Sequence, residues 1–201
     1  MSSLILSGDT SGQITFSAPS VAGTNTITLP ANTGTVITTG SSGQVIPKAA
    51  LPTGSVLQVV QATYSTETTI ATTTYTDTGL SCSITPTSST SKILVMVNQQ
   101  ARQVGGSNPT NAGFKLKLLR SSTSIVDFGS GSGNTVEITA DNGGNVRVAS
   151  YTAVMYLDSP ATTSSTTYKT QASVNSGSGF SASFQGSSTG VSVMTLMEIS
   201  A

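Results

Sequence analysis

The chain has no histidine, no tryptophan and a single cysteine, Cys82, and only 8% of its 201 residues are charged. Without histidine, neither Ser-His and Cys-His nucleophile systems nor histidine-ligated metal sites can be built. A lone cysteine cannot form an internal disulfide, so the fold must hold without one. We expect Cys82 to be a small buried strand residue that alternates with Leu80 and Ile84, rather than a reactive thiol.

The acidic residues are also poorly placed for catalysis. The eight carboxylates are scattered, and none forms a close pair in the sequence, although two distant ones could meet in space as a glycosidase pair. Few aromatic residues are present to line a sugar cleft. The segment DNGGN (141–145) lacks the repeated carboxylates and terminal glutamate of a calcium loop. The sequence therefore predicts a protein that is not an enzyme and uses no metal or cofactor.

The basic residues and the start of the chain exclude two further classes of partner. The net charge is zero, and the eight Lys and Arg residues occur singly, whereas nucleic-acid binding needs clustered positive charge. Residues 1–9 have no basic region and only three consecutive apolar residues, so we expect neither a signal peptide nor a membrane span. No nucleic-acid partner and no membrane partner is expected.

What the chain does contain is serine and threonine, which make up roughly a third of it, far above ordinary usage. Threonine suits strands and serine suits turns, so this bias favours an all-β fold with many short connections. No stretch shows a sustained apolar period of 3.6 residues, which argues against long helices.

One stretch, SKILVMVNQQ (91–100), is the expected centre of the fold because it has five apolar residues in a row. Side chains alternate across a strand, so Leu94 and Met96 face one way and their three β-branched neighbours face the other. Two apolar faces are what a strand needs in the middle of a two-layer core or against a subunit neighbour. The stretch predicts a central strand.

Strand-like runs between turn signals continue through residues 51–201, the predicted head. About eight antiparallel strands in this length predict a β-sandwich of the jelly-roll kind. The runs are 56–61, 66–76 (an edge strand or a surface excursion), 80–84, 91–100, 114–119, 124–128, 145–157, 168–174 and 191–199.

Residues 1–50 have a different character and form a predicted extended N-terminal β arm and linker. They carry only Asp9 and Lys48 as charges, and their apolar pairs have the two-residue period of strands too short to bury much alone. Three copies wound together, or one copy laid on another protein, could bury them; a disordered leader is the alternative. The candidate contact residues are Ile14, Phe16, Ile27, Leu29, Val36 and Ile37.

Several segments carry a resemblance to a known class of protein. GQITF (12–16) and TITLPANTGTV (26–36) resemble segments of tail-fibre and virion-surface proteins of tailed bacteriophages, especially those of cyanobacteria and marine bacteria. GSVLQVV (54–60), SKILV (91–95) and TLMEI (195–199) are similar to the heads of the same proteins. The resemblance implies a homotrimer with a β-sandwich head on an extended stem, located in the virion and assembled in the host cytoplasm. It implies no catalytic residues.

Two roles compete within that class. One is a trimeric capsid decoration (cement) protein, bound to the major capsid protein; the other is a short tail fibre or fibre-tip knob that joins a tail component and binds host-surface glycans. The first 50 residues hold only a few apolar pairs and reach at most ~170 Å when fully extended. This favours decoration close to a surface. A bacterial adhesin or secreted lectin is a third possibility, against which the expected lack of a signal peptide counts.

Overall fold

The computed structural model describes residues 3–7, 11–17, 24, 50–105, 112–129, 134–138, 147–175, 180–186 and 190–201. The chain divides into two units, Met1–Val45 and Ile46–Ala201, and each is described by itself.

In the first unit, two five-residue strands, β1 (Ser3–Ser7) and β2 (Gln13–Ser17), pair antiparallel. The β2 strand lies where the alternation of apolar residues predicts one, whereas β1 is an addition to the prediction. The side chains of Ile5 and Leu6 are about half exposed. These described strand residues thus keep much of their apolar surface in contact with solvent.

The second unit is all-β, and the paired strands are antiparallel. Its eleven described strands are β3 (Val56–Tyr64), β4 (Thr68–Ile70), β5 (Thr76–Ile84), β6 (Lys92–Gly105), β7 (Ala112–Arg120), β8 (Thr123–Asp127), β9 (Val136–Ile138), β10 (Arg147–Asp158), β11 (Thr166–Val174), β12 (Phe180–Phe184) and β13 (Ser192–Ile199).

Three pairs of strands lie end to end as interrupted rows. Because β10 pairs along one side of β6, both β12 and β13 lie along the other, β13 beside residues 92–98 and β12 beside 101–105. In the same way, β3 pairs with β13 and β4 with β12, so these two also lie end to end. The strands β8 and β9 share one side of β7. The eleven strands therefore form eight rows.

The order of these rows identifies the fold. Numbered along the chain, with β3/β4 as row 1 and β12/β13 as row 8, the first sheet has the order 1-8-3-6 and the second the order 2-7-4-5. This is the arrangement of a jelly roll, in which successive rows cross between the sheets except at one hairpin, here β7–β8. The predicted antiparallel, jelly-roll-like sandwich is confirmed, and the strand predicted at 91–100 is the central row β6.

Alternation along each row supplies the core between the sheets. Leu80 on β5, Val95 on β6 and Leu196 on β13 are each at most 1% exposed and belong to one apolar cluster. Phe114 on β7 and Phe184 on β12 belong to a second cluster, their rings meeting edge to face at 5.5 Å. Cys82 lies in the first cluster, which confirms its expected role as a small buried residue.

A polar layer separates the two apolar clusters. On the inward side of β6, Gln99 lies between the clusters, and its Oε1 accepts a hydrogen bond from Thr170 Oγ1 at 2.8 Å. Thr170 in turn contacts the hydroxyl of Thr78 at 2.6 Å, and Gln99 Nε2 donates to Ser192 Oγ at 2.9 Å. Gln185, with a φ of 56°, follows β12 where its row is interrupted. Its amide is satisfied when its oxygen accepts from Gln99 and its nitrogen donates to main-chain carbonyls.

Candidate functional site

The most deeply placed ion pair joins the two sheets. Asp158, at the end of β10, accepts hydrogen bonds from Arg120 Nη1 at 2.9 Å to each carboxylate oxygen. The hydroxyl of Tyr168 donates to the same carboxylate at 2.7 Å. Burial, together with the neighbouring Asp158 charge, raises the pKa of Tyr168. Since Arg120 and Tyr168 belong to the second sheet and Asp158 to the first, the group is a clamp across the sandwich.

A second buried carboxylate, Glu198 on β13, is fully enclosed. It accepts hydrogen bonds from Gln58 Nε2 at 2.6 Å and from the main-chain nitrogen and hydroxyl of Thr87 at 2.7 and 2.6 Å. Burial alone would raise the pKa of Glu198, but these hydrogen bonds outweigh it and lower the pKa to about 2. Glu198 is therefore a charged anchor for the turn that precedes β6. In the described ranges no group of three or more His, Cys, Asp or Glu residues could hold a metal ion.

The outward side of the first sheet is the most unusual surface of the second unit. Its pairings place Val59, Met197, Leu94 and Leu157 side by side across four neighbouring rows. Val59 is 54% exposed and Leu157 48%, although both lie within strands. A full row of apolar side chains on the solvent side of an antiparallel sheet departs from the usual pattern of polar outward residues.

Toward the other end of the sheet, the apolar surface continues chiefly along β6 and β10, whereas β13 and β3 present Thr195 and Gln61. Met155 is 73% exposed and stands beside Met96, while Ala153 and Val193 flank Asn98. These residues border an open groove of about 420 Å³. We call the surface the apolar face and define it by Val59, Leu94, Met96, Tyr151, Ala153, Met155, Leu157, Val193 and Met197.

Charge is confined to the two ends of this face. At one end, Lys92 is the next outward residue of β6 after Leu94. At the other end, Arg102 pairs with Glu67 at 3.3 Å. Between them, among the described residues, the outward positions of these four rows carry no Lys, Arg, Asp or Glu. Three of the five methionines of the chain lie on the face, and their flexible, polarisable side chains suit an adaptable contact surface. The arrangement can bind an apolar partner surface.

The edge of the first sheet next to the apolar face is β10. It pairs with β6 from Arg147 to Asp158 without a register shift, and no strand in the described part of the chain pairs with its other edge. The residues between these two ends include no charged residue and no proline, the usual devices that discourage strand addition at an edge. The β10 edge is therefore open to pairing as far as its own sequence is concerned.

The contact residues predicted from the sequence lie elsewhere. Ile14 and Phe16 are in β2, where their Cα partners on β1 are Leu6 and Leu4. The other four, Ile27, Leu29, Val36 and Ile37, lie outside the described residues, as does the loop 141–145. The apolar face was not predicted as a site. Its signal in the sequence is the outward pair Leu94 and Met96, but the register that sets β10 beside them cannot be derived from sequence alone.

Comparison with known proteins adds the following. No family model matches the sequence, and no curated protein matches it. Among solved structures, a mutant VP2 protein of infectious bursal disease virus in derived T=1 particles is similar with a TM-score of 0.32 and 10% identity. The matched region covers 79% of this chain and 40% of the VP2 chain.

The VP2 subviral particle of the same virus is also similar, with a TM-score of 0.24 and 10% identity, over 71% of this chain and 40% of that one. The chain thus spans well under half the length of either structure. Neither structure is of a tailed-bacteriophage protein. Within the described residues, no helix is both long and apolar enough to span a bilayer.

Proposed function

We propose that this chain is a structural protein of a bacteriophage virion, a trimeric capsid decoration protein that binds the outer capsid surface and reinforces it. It acts by binding and not by catalysis. The bacteriophage assignment comes from the sequence segments that resemble virion-surface proteins. The observation that carries a binding role is the apolar face, a wide uncharged surface at outward positions that a solitary sandwich has no need to make apolar.

The buried ionisable groups favour the same kind of role. Asp158 and Glu198 are each occupied by several hydrogen bonds, so they contribute to the fold and offer no free acid or base. The apolar side chains of the first 50 residues favour an attachment role for that segment, since exposed apolar area costs roughly 25 cal/mol per Å² relative to burial. Together these features suit a protein whose surfaces are covered by other proteins.

The decisive experiment counts copies of the protein in purified virions by quantitative mass spectrometry. A decoration protein is present in hundreds of copies, in fixed proportion to the major capsid protein. A handful of copies would place it in the tail and overturn the decoration role.

A binding assay tests the attachment step. The full chain, added to capsids that lack it, should bind and raise the temperature at which the capsids break open. A chain without residues 1–50 should stay folded, because the sandwich has its own core, but should not bind. If the shortened chain binds as tightly as the full chain, attachment lies in the sandwich instead.

A second candidate is a fibre-tip knob that binds host-surface glycans. It is favoured by a small recess of about 260 Å³ lined by hydroxyl side chains of Thr87, Ser88, Thr90, Ser91 and Ser200. Hydroxyls can exchange hydrogen bonds with a sugar, but the recess has no aromatic ring for a sugar to stack on. A low copy number combined with glycan binding would favour this candidate over decoration.

A further inference from the structure

We propose that the apolar face is the surface through which the sandwich meets a second copy of this same chain. The inference deepens the proposed function: it depends on the trimer proposed there and assigns part of the trimer contact to residues 46–201. The sequence had predicted contact residues only in the first 50 positions.

The charge pattern favours a copy of the chain as the partner. Copies of a surface with charge of one sign would place like charges opposite each other or would bury charges without partners, and both are unfavourable. Between Lys92 and Arg102 the described outward positions of the apolar face carry no Lys, Arg, Asp or Glu, so copies of the face can meet without either penalty. Lys92 and the Arg102–Glu67 pair stay at the rim, where interfaces are polar.

The relief of the face is also suited to meeting a copy of itself. Met155 projects with 73% of its surface exposed, and Tyr151 on the same strand with 59%. Directly beside Met155 is the groove bordered by Met96, Asn98 and Val193. A projecting side chain and a recess on one surface allow each copy to supply the knob for the groove of its neighbour.

The size of the face sets its part in the contact. Four rows ~4.8 Å apart, with seven residues at ~3.3 Å each, span about 450 Å² per copy, an outline that also includes the polar residues Gln61, Asn98 and Thr195. In a trimer each face is shared between two neighbours, so it supplies about 450 Å² to each pair of subunits, well below the range of about 1,200–2,000 Å² found in specific interfaces. The face is therefore the apolar centre of a larger contact, to which the neighbouring open edge of β10 can add main-chain hydrogen bonds.

The test uses the full chain and two lysine substitutions on opposite sides of the sandwich. Met155→Lys puts a charge on the apolar face at a side chain already exposed to solvent, so the sandwich should still fold. Ser81→Lys is the matched control, an exposed serine on β5 that points outward from the second sheet. Circular dichroism and the thermal unfolding midpoint verify folding, and sedimentation equilibrium gives the mass.

We expect the unaltered chain and Ser81→Lys to have a mass of three times 20.2 kDa. Met155→Lys should have the monomer mass and an unchanged circular dichroism spectrum. The milder Met155→Ser and Tyr151→Ser should each weaken association about tenfold or more, because each removes apolar area from the contact. In the unaltered chain, amide hydrogen exchange along β10 should be slower than in Met155→Lys.

Two results overturn the inference in different ways. If Met155→Lys and both serine variants keep the mass and affinity of the unaltered chain, the apolar face is not the contact, while the trimer and the capsid role stand. If the unaltered chain is a monomer at micromolar concentration, self-association through this face is wrong and so is the trimer. Binding to capsids is measured separately and decides the decoration role on its own.

Discussion

The two outward faces of the sandwich are built by the same alternation but differ in character. On the second sheet, Lys169 pairs with Asp77 at 2.9 Å, Lys117 lies over the ring of Tyr75 at 3.9 Å, and Lys115 adds a further charge. On the first sheet, the corresponding positions hold the methionines and aliphatic residues of the apolar face. The second sheet thus presents a charged outer side, and the described part of the first presents an outer side that is uncharged between Lys92 and Arg102.

The difference shows that the residues at outward positions are not determined by the needs of the core. Both sheets already bury an apolar side, and residues such as Leu118 and Leu196 provide the core whatever lies outside. An antiparallel sheet tolerates water on its outer side, so folding alone does not require Met155 or Leu157. Their presence is the observation from which we propose a contact with a second copy of the chain.

The largest expected effect is the difference in stability between removing a buried carboxylate and removing an exposed one. Asp158→Asn should lower the free energy of unfolding by about 2–3 kcal/mol, because the partly exposed Arg120 and the buried Tyr168 hydroxyl both lose their charged acceptor. Asp77→Asn breaks the pair on the charged outer face and should cost less than about 1 kcal/mol, since that pair is exposed to water. Urea unfolding of both variants measures the difference; equal losses would contradict it.

The next effect concerns pH. The pKa of Glu198 lies below its ordinary value of 4.5, at about 2, so its ionised form stabilises the fold above pH 4.5 and this contribution is lost as the pH falls toward 2. The complete loss, reached only below pH 2, should be on the order of 3 kcal/mol, from a shift of roughly two to three pKa units. Roughly half of it should fall between pH 5 and pH 3, where urea unfolding can measure it.

Two variants test whether this pH dependence arises from Glu198 inside the sandwich or from the charged outer face. Glu198→Gln cannot titrate, so its stability should change much less between pH 5 and pH 3. Burial would raise the pKa of Asp77, but hydrogen bonds from Lys169 and Gln171 lower it. Because Asp77 is exposed, Asp77→Asn should keep nearly the full pH dependence of the unaltered chain. A flat profile in Asp77→Asn would place the effect on the outer face instead.

The smallest expected effect tests the charged face itself. Lys117→Met keeps the aliphatic stem but removes the cation over the Tyr75 ring, and should cost about 0.5–1 kcal/mol. Lys115→Met, two residues earlier on β7, is the control and should stay within about 0.5 kcal/mol. Thermal unfolding compares the two, and a larger loss in Lys115→Met would show that the charged face has a structural task that its contacts do not reveal.

The sequence was most informative where apolar residues are dense. Five of them in a row predicted β6, and the spacing of the remaining runs predicted a sandwich of about eight rows. The run at 66–76 was left between an edge strand and a surface excursion, and β4 (Thr68–Ile70) is a three-residue piece of the outer row. The strands missed were β1, β9 and β12, which are short. In β12, small residues separate its two phenylalanines, and such a segment has little apolar signal.

The candidate site was less predictable than the fold. The outward direction of Leu94 and Met96 could be derived from alternation, and a subunit neighbour was one of the two explanations offered for them. That Leu157 and Met155 lie beside them depends on pairing across more than fifty residues of sequence, which alternation does not determine. Local pattern thus predicts which side of a strand is apolar, whereas only register shows how wide the apolar surface is.

The polar layer around Gln99 disfavours a slipped alignment of the neighbouring strands. Rows rich in Ser, Thr and Val specify their alignment weakly, because a slip of two residues places a similar side chain on the same side. In a slipped alignment, Gln99 would enter an apolar cluster and its amide would lose Thr170 and Ser192 as partners, at a cost of about 1–3 kcal/mol for each unsatisfied group. The polar layer thus favours the native alignment in a chain whose small side chains discriminate weakly between alignments.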